Sequence, residues 1–231
     1  MDGVLVIDKP CGPTSHDVVS EVKRILGAKK VGHLGTLDPA ASGVLPLVIN
    51  KATKFAEKLA GKTKVYEFDL VLGSQTDTDD DQGKVIRESV VPGDFFDQIQ
   101  RIKDKFVGRI IQTPPAYSAV KVKGEALYKS ARKGESASAG PRTVTIDEIE
   151  ILACADDRIR MRVHCRTGTY IRALCRDMGE AIGSFGHAAN IRRLVSGEYK
   201  IGDAIPLYEF KRLSGPDRMK RIKPLTLQTK A

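Results

Sequence analysis

The 231-residue sequence has no tryptophan, and aromatic residues make up only 6% of it. No apolar run approaches the roughly 20 residues that a membrane-spanning helix needs, so we expect no membrane association. Met1-Asp2-Gly3 leads directly into the apolar segment 4–7, which is too short and too acidic in front for a signal peptide. These absences predict a cytoplasmic protein.

Cysteine is scarce as well, and the four cysteines show no Cys-x-x-Cys spacing, which disfavours zinc and redox motifs. The acidic segment 73–83 invites a calcium interpretation, because four carboxylates fall at the first, third, fifth and twelfth positions of an EF-hand loop. These are Asp77, Asp79, Asp81 and Glu88. The sixth position requires glycine and holds Gln82, and strands rather than helices are predicted around it, so calcium is disfavoured. Such a loop is also suited to orienting a buried arginine.

Acidic residues are too few to balance the basic ones, which leaves a formal net charge of +9. The excess lies in two blocks: residues 101–135 carry 9 basic and 3 acidic side chains, and residues 211–231 carry 7 and 1. Two solvated faces would explain this segregation. It is also typical of a protein that binds a phosphate backbone.

Hydrophobic periodicity predicts strands and helices in mixed rather than alternating order, which favours an α+β fold. Strands are predicted over 3–7, 44–49, 64–72, 84–90, 142–153 and 158–166. Helices are predicted over 16–27, capped by Ser15, and over 51–60, 94–106 and 169–182. Residues 207–231 are predicted to hold one short helix followed by basic coil.

A glycine-rich stretch, residues 32–43, follows the first predicted helix. Its glycines allow close backbone approach, and Pro39 moves Asp38 away from helical dihedrals. The result is a stiff loop with a carboxylate, Asp38, and an imidazole, His33, five residues apart. Taken alone, the stretch fits either an ordinary turn or an active-site loop.

Several further motifs accompany this loop in a fixed order. They are Asp8-Lys9-Pro10, Gly32-His33, Gly35-Thr36-Leu37-Asp38-Pro39, Ser42-Gly43, Lys64-Val65-Tyr66, Thr76-Asp77-Thr78 with Asp80, Pro114-Pro115-Ala116-Tyr117-Ser118-Ala119-Val120-Lys121, Gly168-Thr169-Tyr170-Ile171-Arg172 and Arg192-Arg193-Leu194. In order and spacing they resemble the TruB-type tRNA pseudouridine synthases over residues 3–210. The resemblance implies a mixed, mainly antiparallel central sheet flanked by helices, with a catalytic domain over 1–210 and a basic tail over 211–231.

The family implies an activity. Its members detach a uracil, uridine 55 of the tRNA T-loop, from its ribose and reattach it through C5, with no cofactor or metal. The base must be flipped out of the loop, which costs a few kcal/mol. By resemblance Asp38 is the catalytic aspartate; attack on C1′, attack on C6 and removal of a sugar proton all stay open. Arg172 is the arginine that pairs with it, and Asp80 completes that ion-pair network.

The resemblance also assigns substrate contacts. Tyr66 stacks on the target base near C5, where a proton must leave. Tyr170 and Ile191 wall the base, and His33 fills space in the T-loop as bases swing out. Lys9 either contacts the site or braces a strand end. A mobile RNA-gripping insertion over 117–140 places Lys121 and Lys123, together with other basic residues, against phosphates.

Bacterial members usually continue into a small C-terminal PUA domain, which we expect to be missing because this chain ends at Ala231. We expect the tRNA T-arm stem-loop as partner and no obligate protein partner. Two other functions stay open: a non-catalytic RNA-binding or tRNA-folding protein, and a guide-RNA-dependent dyskerin-type subunit. The trio Asp38, Tyr66 and Arg172 argues against the first, and residues 114–121 and 128–134 resemble the stand-alone bacterial branch instead of the second.

Overall fold

The computed structural model describes residues 2–118, 121–122, 125–126 and 139–225. The strands are β1 (Gly3–Lys9), β2 (Val31–His33), β3 (Ser42–Ile49), β4 (Thr63–Leu72), β5 (Ser74–Thr76), β6 (Val85–Glu88), β7 (Gly108–Gln112), β8 (Lys121–Val122), β9 (Glu125–Ala126), β10 (Arg142–Ala155), β11 (Arg158–Arg166), β12 (Gly186–Ser196), β13 (Tyr199–Lys200), β14 (Ile205–Pro206) and β15 (Lys223–Pro224). The α-helices are α1 (Ser15–Leu26), α2 (Ala56–Leu59), α3 (Phe95–Ile102), α4 (Ile171–Ala181), α5 (Leu207–Arg212) and α6 (Gly215–Lys220). Short 3₁₀ helices cover Asn50–Phe55, Lys103–Phe106 and Ile201–Asp203.

The chain forms two compact units. The terminal unit comprises residues 2–65 and 192–225 of the described chain, and the central unit comprises residues 66–191. The chain crosses from one to the other within β4 and again within β12. The α+β class predicted from the sequence is confirmed, and the expected catalytic-domain boundary at residue 210 stays a prediction.

The terminal unit contains the strand order β14-β1-β3-β12. Strands β1 and β3 pair antiparallel along their length, whereas β1–β14 and β3–β12 are parallel pairs. Its core contains residues from both segments of the unit, because Val4, Val48 and Tyr199 belong to one buried cluster. The tail also differs from the prediction: a second helix, α6, follows α5, and β15 then pairs with β1 through Gly3 and Pro224.

Helix α1 begins one residue earlier than predicted, because Thr14 rather than Ser15 caps it. The Thr14 hydroxyl accepts from the Asp17 amide, and the Asp17 carboxylate accepts from the Thr14 amide, which forms a capping box. Gly27 ends the helix in the left-handed conformation at φ 58°. Because Ser15 does not cap the helix, its buried hydroxyl can bond the Leu37 carbonyl in the loop that carries Asp38.

The central unit contains the order β12-β4-β11-β10-β7 and two small hairpins, β5–β6 and β8–β9. The pairs β10–β11, β10–β7 and β5–β6 are antiparallel, as predicted for a mainly antiparallel sheet. Strand β11 has the predicted bounds because its apolar and arginine positions alternate strictly. The helix predicted over 94–106 is α-helical only to Ile102, and its last turn tightens into a 3₁₀ helix.

Candidate active site

The loop that carries Asp38 joins β2 to β3, and its backbone is held by side chains from two other elements. Arg193 of β12 donates from Nη2 to the Gly35 carbonyl at 3.2 Å and from Nη1 to the Thr36 carbonyl at 3.1 Å. The Ser15 hydroxyl of α1 bonds both the amide and the carbonyl of Leu37, each at 2.8 Å. Asp38 is therefore presented, half-buried, by a backbone that is fixed on its N-terminal side.

The C-terminal side of the loop is fixed as well. The Gly12 amide donates to the Pro39 carbonyl at 2.9 Å, and the Ala41 amide donates to the Asp38 carbonyl at 3.1 Å. Lys9, fully buried at the end of β1, donates from Nζ to the carbonyls of Pro10 and Pro13 and, at 3.5 Å, to that of Pro39. Lys9 thus braces the turns around Asp38.

Burial lowers the pKa of two predicted site residues, Lys9 and His33. It lowers the pKa of Lys9 from 10.5 to about 8, against the opposing effect of the nearby Cys11 and Asp38. Burial also lowers the pKa of His33, and the positive charges of Arg193 and His16 lower it further. His33 is therefore neutral at neutral pH, which fits a space-filling role better than a phosphate contact. Its Nδ1 is buried, with no hydrogen-bond partner among the described residues.

Arg172 lies in the first turn of α4, in the central unit, and is 3% exposed. Its Nη1 donates to the Thr78 carbonyl at 2.8 Å, and its Nη2 donates to the Tyr117 carbonyl at 2.9 Å. Nη1 also lies 3.7 Å from Oδ2 of Asp80, as predicted for these two residues. These bonds connect the start of α4 with the acidic loop after β5 and with the segment that leads into the predicted RNA-gripping insertion.

The acidic loop orients arginines, as its composition predicted. One helical turn after Arg172, Arg176 forms an ion pair between its Nη1 and Asp79 Oδ2 at 2.8 Å. The remaining carboxylates of the loop make local bonds: Asp77 accepts from the Lys84 amide, and Asp80 accepts from the Thr78 hydroxyl. Two of the four carboxylates of the calcium interpretation, Asp77 and Asp79, thus bind protein donors in the described loop.

The aromatic and apolar site residues of the central unit lie on or beside three elements, and their contacts with the base stay a prediction. Tyr66 is half-buried on β4, and Ile191 is buried on β12. Tyr170 precedes α4, where its amide and carbonyl both bond the side-chain amide of Gln112, at 3.0 and 3.3 Å.

The predicted site residues are divided between the two units. Lys9, His33 and Asp38 belong to the terminal unit, and Tyr66, Asp80, Tyr170, Arg172 and Ile191 belong to the central unit. The pairing of Asp38 with Arg172 therefore stays a prediction. Lys121 begins the short strand β8, as expected for a hairpin, whereas Lys123 and most of the predicted insertion, residues 119–120, 123–124 and 127–138, lie outside the described residues.

One group of side chains in the described chain has atoms spaced for a metal ion. The ligand atoms of Glu148, Glu150 and His164, on β10 and β11, all lie within 4.8 Å of one another. Arg162 competes for this group, because its Nη1 donates to Oε2 of Glu150 at 3.1 Å. No predicted site residue belongs to it. No helix in the described part of the chain is long and apolar enough to cross a membrane.

The sequence analysis does not predict that Ser15 and Arg193 hold the loop. It indicates Ser15 only as a helix cap and Arg193 only as part of a motif. A signal for Arg193 existed, because it follows the predicted pocket residue Ile191 by two positions in a strand and so shares its face. A charged residue on a buried strand face indicates a polar partner, but only the fold shows which one.

Comparisons with known proteins show which family and which solved structures the chain is similar to. The family described as "TruB family pseudouridylate synthase (N terminal domain)" matches residues 23–171. A protein of Solibacter usitatus (strain Ellin6076) named tRNA pseudouridine synthase B is 43% identical over 219 residues, covering 95% of this chain and 75% of that protein. A protein of the same name from Opitutus terrae (strain DSM 11246 / JCM 15787 / PB90-1) is 40% identical over 225 residues, covering 97% and 93%.

Two solved structures share the fold. A chain of the crystal structure of a Cbf5–Nop10–Gar1 complex superposes with a TM-score of 0.73 at 34% identity, covering 96% of this chain and 60% of that chain. A chain of an H/ACA RNP bound to a substrate RNA containing 2′-deoxyuridine superposes with a TM-score of 0.69 at 31% identity, covering 96% and 56%.

Proposed function

Because the chain belongs to the TruB family of pseudouridylate synthases, we propose that it is a tRNA pseudouridine synthase that isomerises uridine 55 in the T-loop. The observation that carries the proposal is the loop around Asp38. Its carbonyl and amide groups are held by Arg193, Ser15 and Gly12, so the backbone that carries Asp38 is fixed on both sides. Preorganisation of this kind is what a reacting group needs.

The proposed chemistry centres on that carboxylate. Asp38 reacts with the flipped uridine by attack on C1′, by attack on C6 or by removal of a sugar proton, and each route lets the base turn and rejoin the sugar through C5. Tyr66 stacks on the base near the proton that leaves C5. Arg172 pairs with Asp38 through its charge and planar geometry, and Asp80 supports Arg172 from 3.7 Å. Tyr170 and Ile191 wall the base.

The proposed substrate is the T-arm stem-loop of tRNA. Neutral His33 fills the space that the displaced loop bases leave. Lys121, Lys123 and the other basic residues of the insertion bind phosphates, which positions the RNA without reading its sequence. Specificity then comes from the shape of the T-loop and its splayed bases.

The remaining expectations belong to the same proposal. The catalytic domain covers residues 1–210, followed by the basic segment 211–231, and the enzyme works in the cytoplasm without a metal, a cofactor or an obligate protein partner. Relatives of about 40% identity named tRNA pseudouridine synthase B support a stand-alone enzyme. The likeness to a chain of a Cbf5–Nop10–Gar1 complex favours the guide-RNA-dependent alternative enough to test it.

One assay distinguishes these functions. The purified chain is incubated with a T-arm stem-loop and EDTA, without guide RNA or other proteins, and pseudouridine at position 55 is measured. We expect stoichiometric conversion, and none when position 55 is cytidine. Tight binding without product would instead support a non-catalytic RNA-binding protein. Product that appears only after guide RNA and partner proteins are added would support the dyskerin-type alternative.

A further inference from the structure

Arg193 is the largest fully buried side chain of the described residues. Its guanidinium donates three hydrogen bonds, all to backbone carbonyls: Nε to Val44 at 2.8 Å, Nη1 to Thr36 at 3.1 Å and Nη2 to Gly35 at 3.2 Å. Two of these acceptors lie two and three residues before Asp38, and the third lies on β3, where the same loop ends. The planar guanidinium of Arg193 thus hydrogen-bonds both the loop and β3, the strand that follows it.

The backbone around Arg193 is adapted to this arrangement. Arg193 pairs with Gly43 in the parallel contact of β12 with β3, and a Cβ atom on Gly43 would lie only 2.2 Å from the Arg193 carbonyl oxygen. Gly35 has φ +125°, in the region that favours glycine. Gly43 therefore has a steric reason that involves the Arg193 backbone, and Gly35, whose carbonyl Arg193 binds, has a conformational one.

We propose that Arg193 is a positioning residue for the pseudouridine synthase reaction, which fixes the loop backbone and thereby the direction in which Asp38 presents its carboxylate. This inference rests on the proposed function. Arginine is required because its five N–H donors lie in one rigid plane and reach three carbonyls at once, whereas a lysine ammonium reaches them only as a flexible point charge.

The chain offers a matched control in Lys64. This cation is also buried in the terminal unit, and its Nζ donates to the carbonyl of Ala60 at 2.9 Å and to the hydroxyl of Ser196 at 3.0 Å. Lys64 differs from Arg193 in that its carbonyl partners belong to the turn before β4 instead of the loop that carries Asp38. Lys64→Met therefore reports what the loss of a buried, backbone-bound cation does by itself.

The test compares wild type, Arg193→Met, Arg193→Lys and Lys64→Met. We expect Arg193→Met to lower kcat by about 10²-fold with KM near the wild-type value, because a small misplacement of a reacting group costs about that much. Arg193→Lys should recover part of kcat and keeps the test valid if Arg193→Met does not fold. Hydrogen exchange of the Leu37 amide, which bonds Ser15, should accelerate in both Arg193 variants. Lys64→Met should leave both kcat and this exchange rate near wild type.

Equal losses of kcat in Arg193→Met and Lys64→Met would overturn the inference, as would an Arg193 effect on KM alone. Unchanged exchange at Leu37 would overturn it independently of activity. If the wild-type chain forms no pseudouridine, the proposed function fails, and the exchange comparison still decides whether Arg193 fixes the loop.

Discussion

Three buried cations of the terminal unit donate hydrogen bonds to backbone carbonyls. Lys9 and Arg193 each donate to carbonyls of the turns around Asp38, and Lys64 does the same at a turn before β4. A charge without a full counter-ion is costly to bury, so such residues persist where the bonds shape the backbone. For Lys9 the cost is visible as a pKa of about 8.

The lowered pKa of Lys9 predicts a pH dependence of stability. Between pH 8 and 10.5 the unfolded chain binds more protons at Lys9 than the folded chain, so the free energy of unfolding rises with pH in this window. The expected gain is about 3 kcal/mol at most, from the shift of the Lys9 pKa. Denaturant titrations at pH 7, 8.5 and 10 measure this gain as the difference in the free energy of unfolding between wild type and Lys9→Met. A difference that does not change with pH would contradict the prediction.

Single residues were predictable where the chemistry is local. The turn at Asp38 and Pro39 follows from a local motif, whereas the pairing of Arg172 with Asp80 is implied only by the family resemblance. Thr14 caps α1 in place of Ser15, because either hydroxyl can cap a helix and the Ser15 hydroxyl instead bonds Leu37, 22 residues away. The burial of Arg193 depends on parallel pairing of strands about 150 residues apart in the sequence, which no local pattern reveals.

At the scale of elements, β3 and β12 approach each other closely at Gly43. The three nearest heavy atoms to a Cβ built there all belong to the Arg193 backbone, at 2.2–3.0 Å. Gly12 provides a comparison, since it has nearly the same dihedral, φ +105° against +107°, with nothing within 4 Å of a Cβ. Gly12 therefore requires glycine only for its backbone conformation. Gly43 requires it for the same conformation and also because a Cβ atom would collide with the Arg193 backbone.

We therefore expect Gly43→Ala to destabilise the protein more than Gly12→Ala. Both changes place a Cβ at positive φ, which costs about 1–2 kcal/mol. Gly43→Ala adds a collision with backbone atoms, for which overpacking costs of about 1–3 kcal/mol are typical. The midpoints of urea denaturation at unchanged slope measure both variants. Equal losses of stability in the two variants would show that β3 and β12 can move apart at Gly43 at no cost in free energy.

Elements with strong periodicity were predicted well. Strand β11 alternates apolar residues with arginines, and its predicted bounds agree with the structure. Element ends were predicted less well: the 3₁₀ turns at Asn50–Phe55 and Lys103–Phe106 share the apolar spacing of an α-helix over so few residues that pattern cannot separate them. The strand β15 could not be predicted, since two residues gain strand character only from pairing with β1.

At the scale of the whole molecule, the net charge of +9 predicts RNA binding that weakens as salt rises. If Lys121 and Lys123 each neutralise one phosphate, the double change to alanine should lower the slope of log K against log salt by about 1.4–1.8. Filter binding of the T-arm stem-loop over a range of KCl concentrations measures the slope. Lys51 and Lys54, exchanged for alanine together, are the control of equal charge. A slope that falls equally in both double variants would remove the insertion from the interface.

The central claim is that Asp38 performs the chemistry, and Asp38→Asn tests it most directly. The change preserves size and removes the ionised oxygen, so the folded chain should still bind the T-arm stem-loop with the wild-type Kd. Asp157→Asn, at an exposed carboxylate of the central unit, is the matched control. We predict no pseudouridine above background in single-turnover reactions with Asp38→Asn, and wild-type rates with Asp157→Asn. Turnover by Asp38→Asn at the wild-type rate would contradict the account.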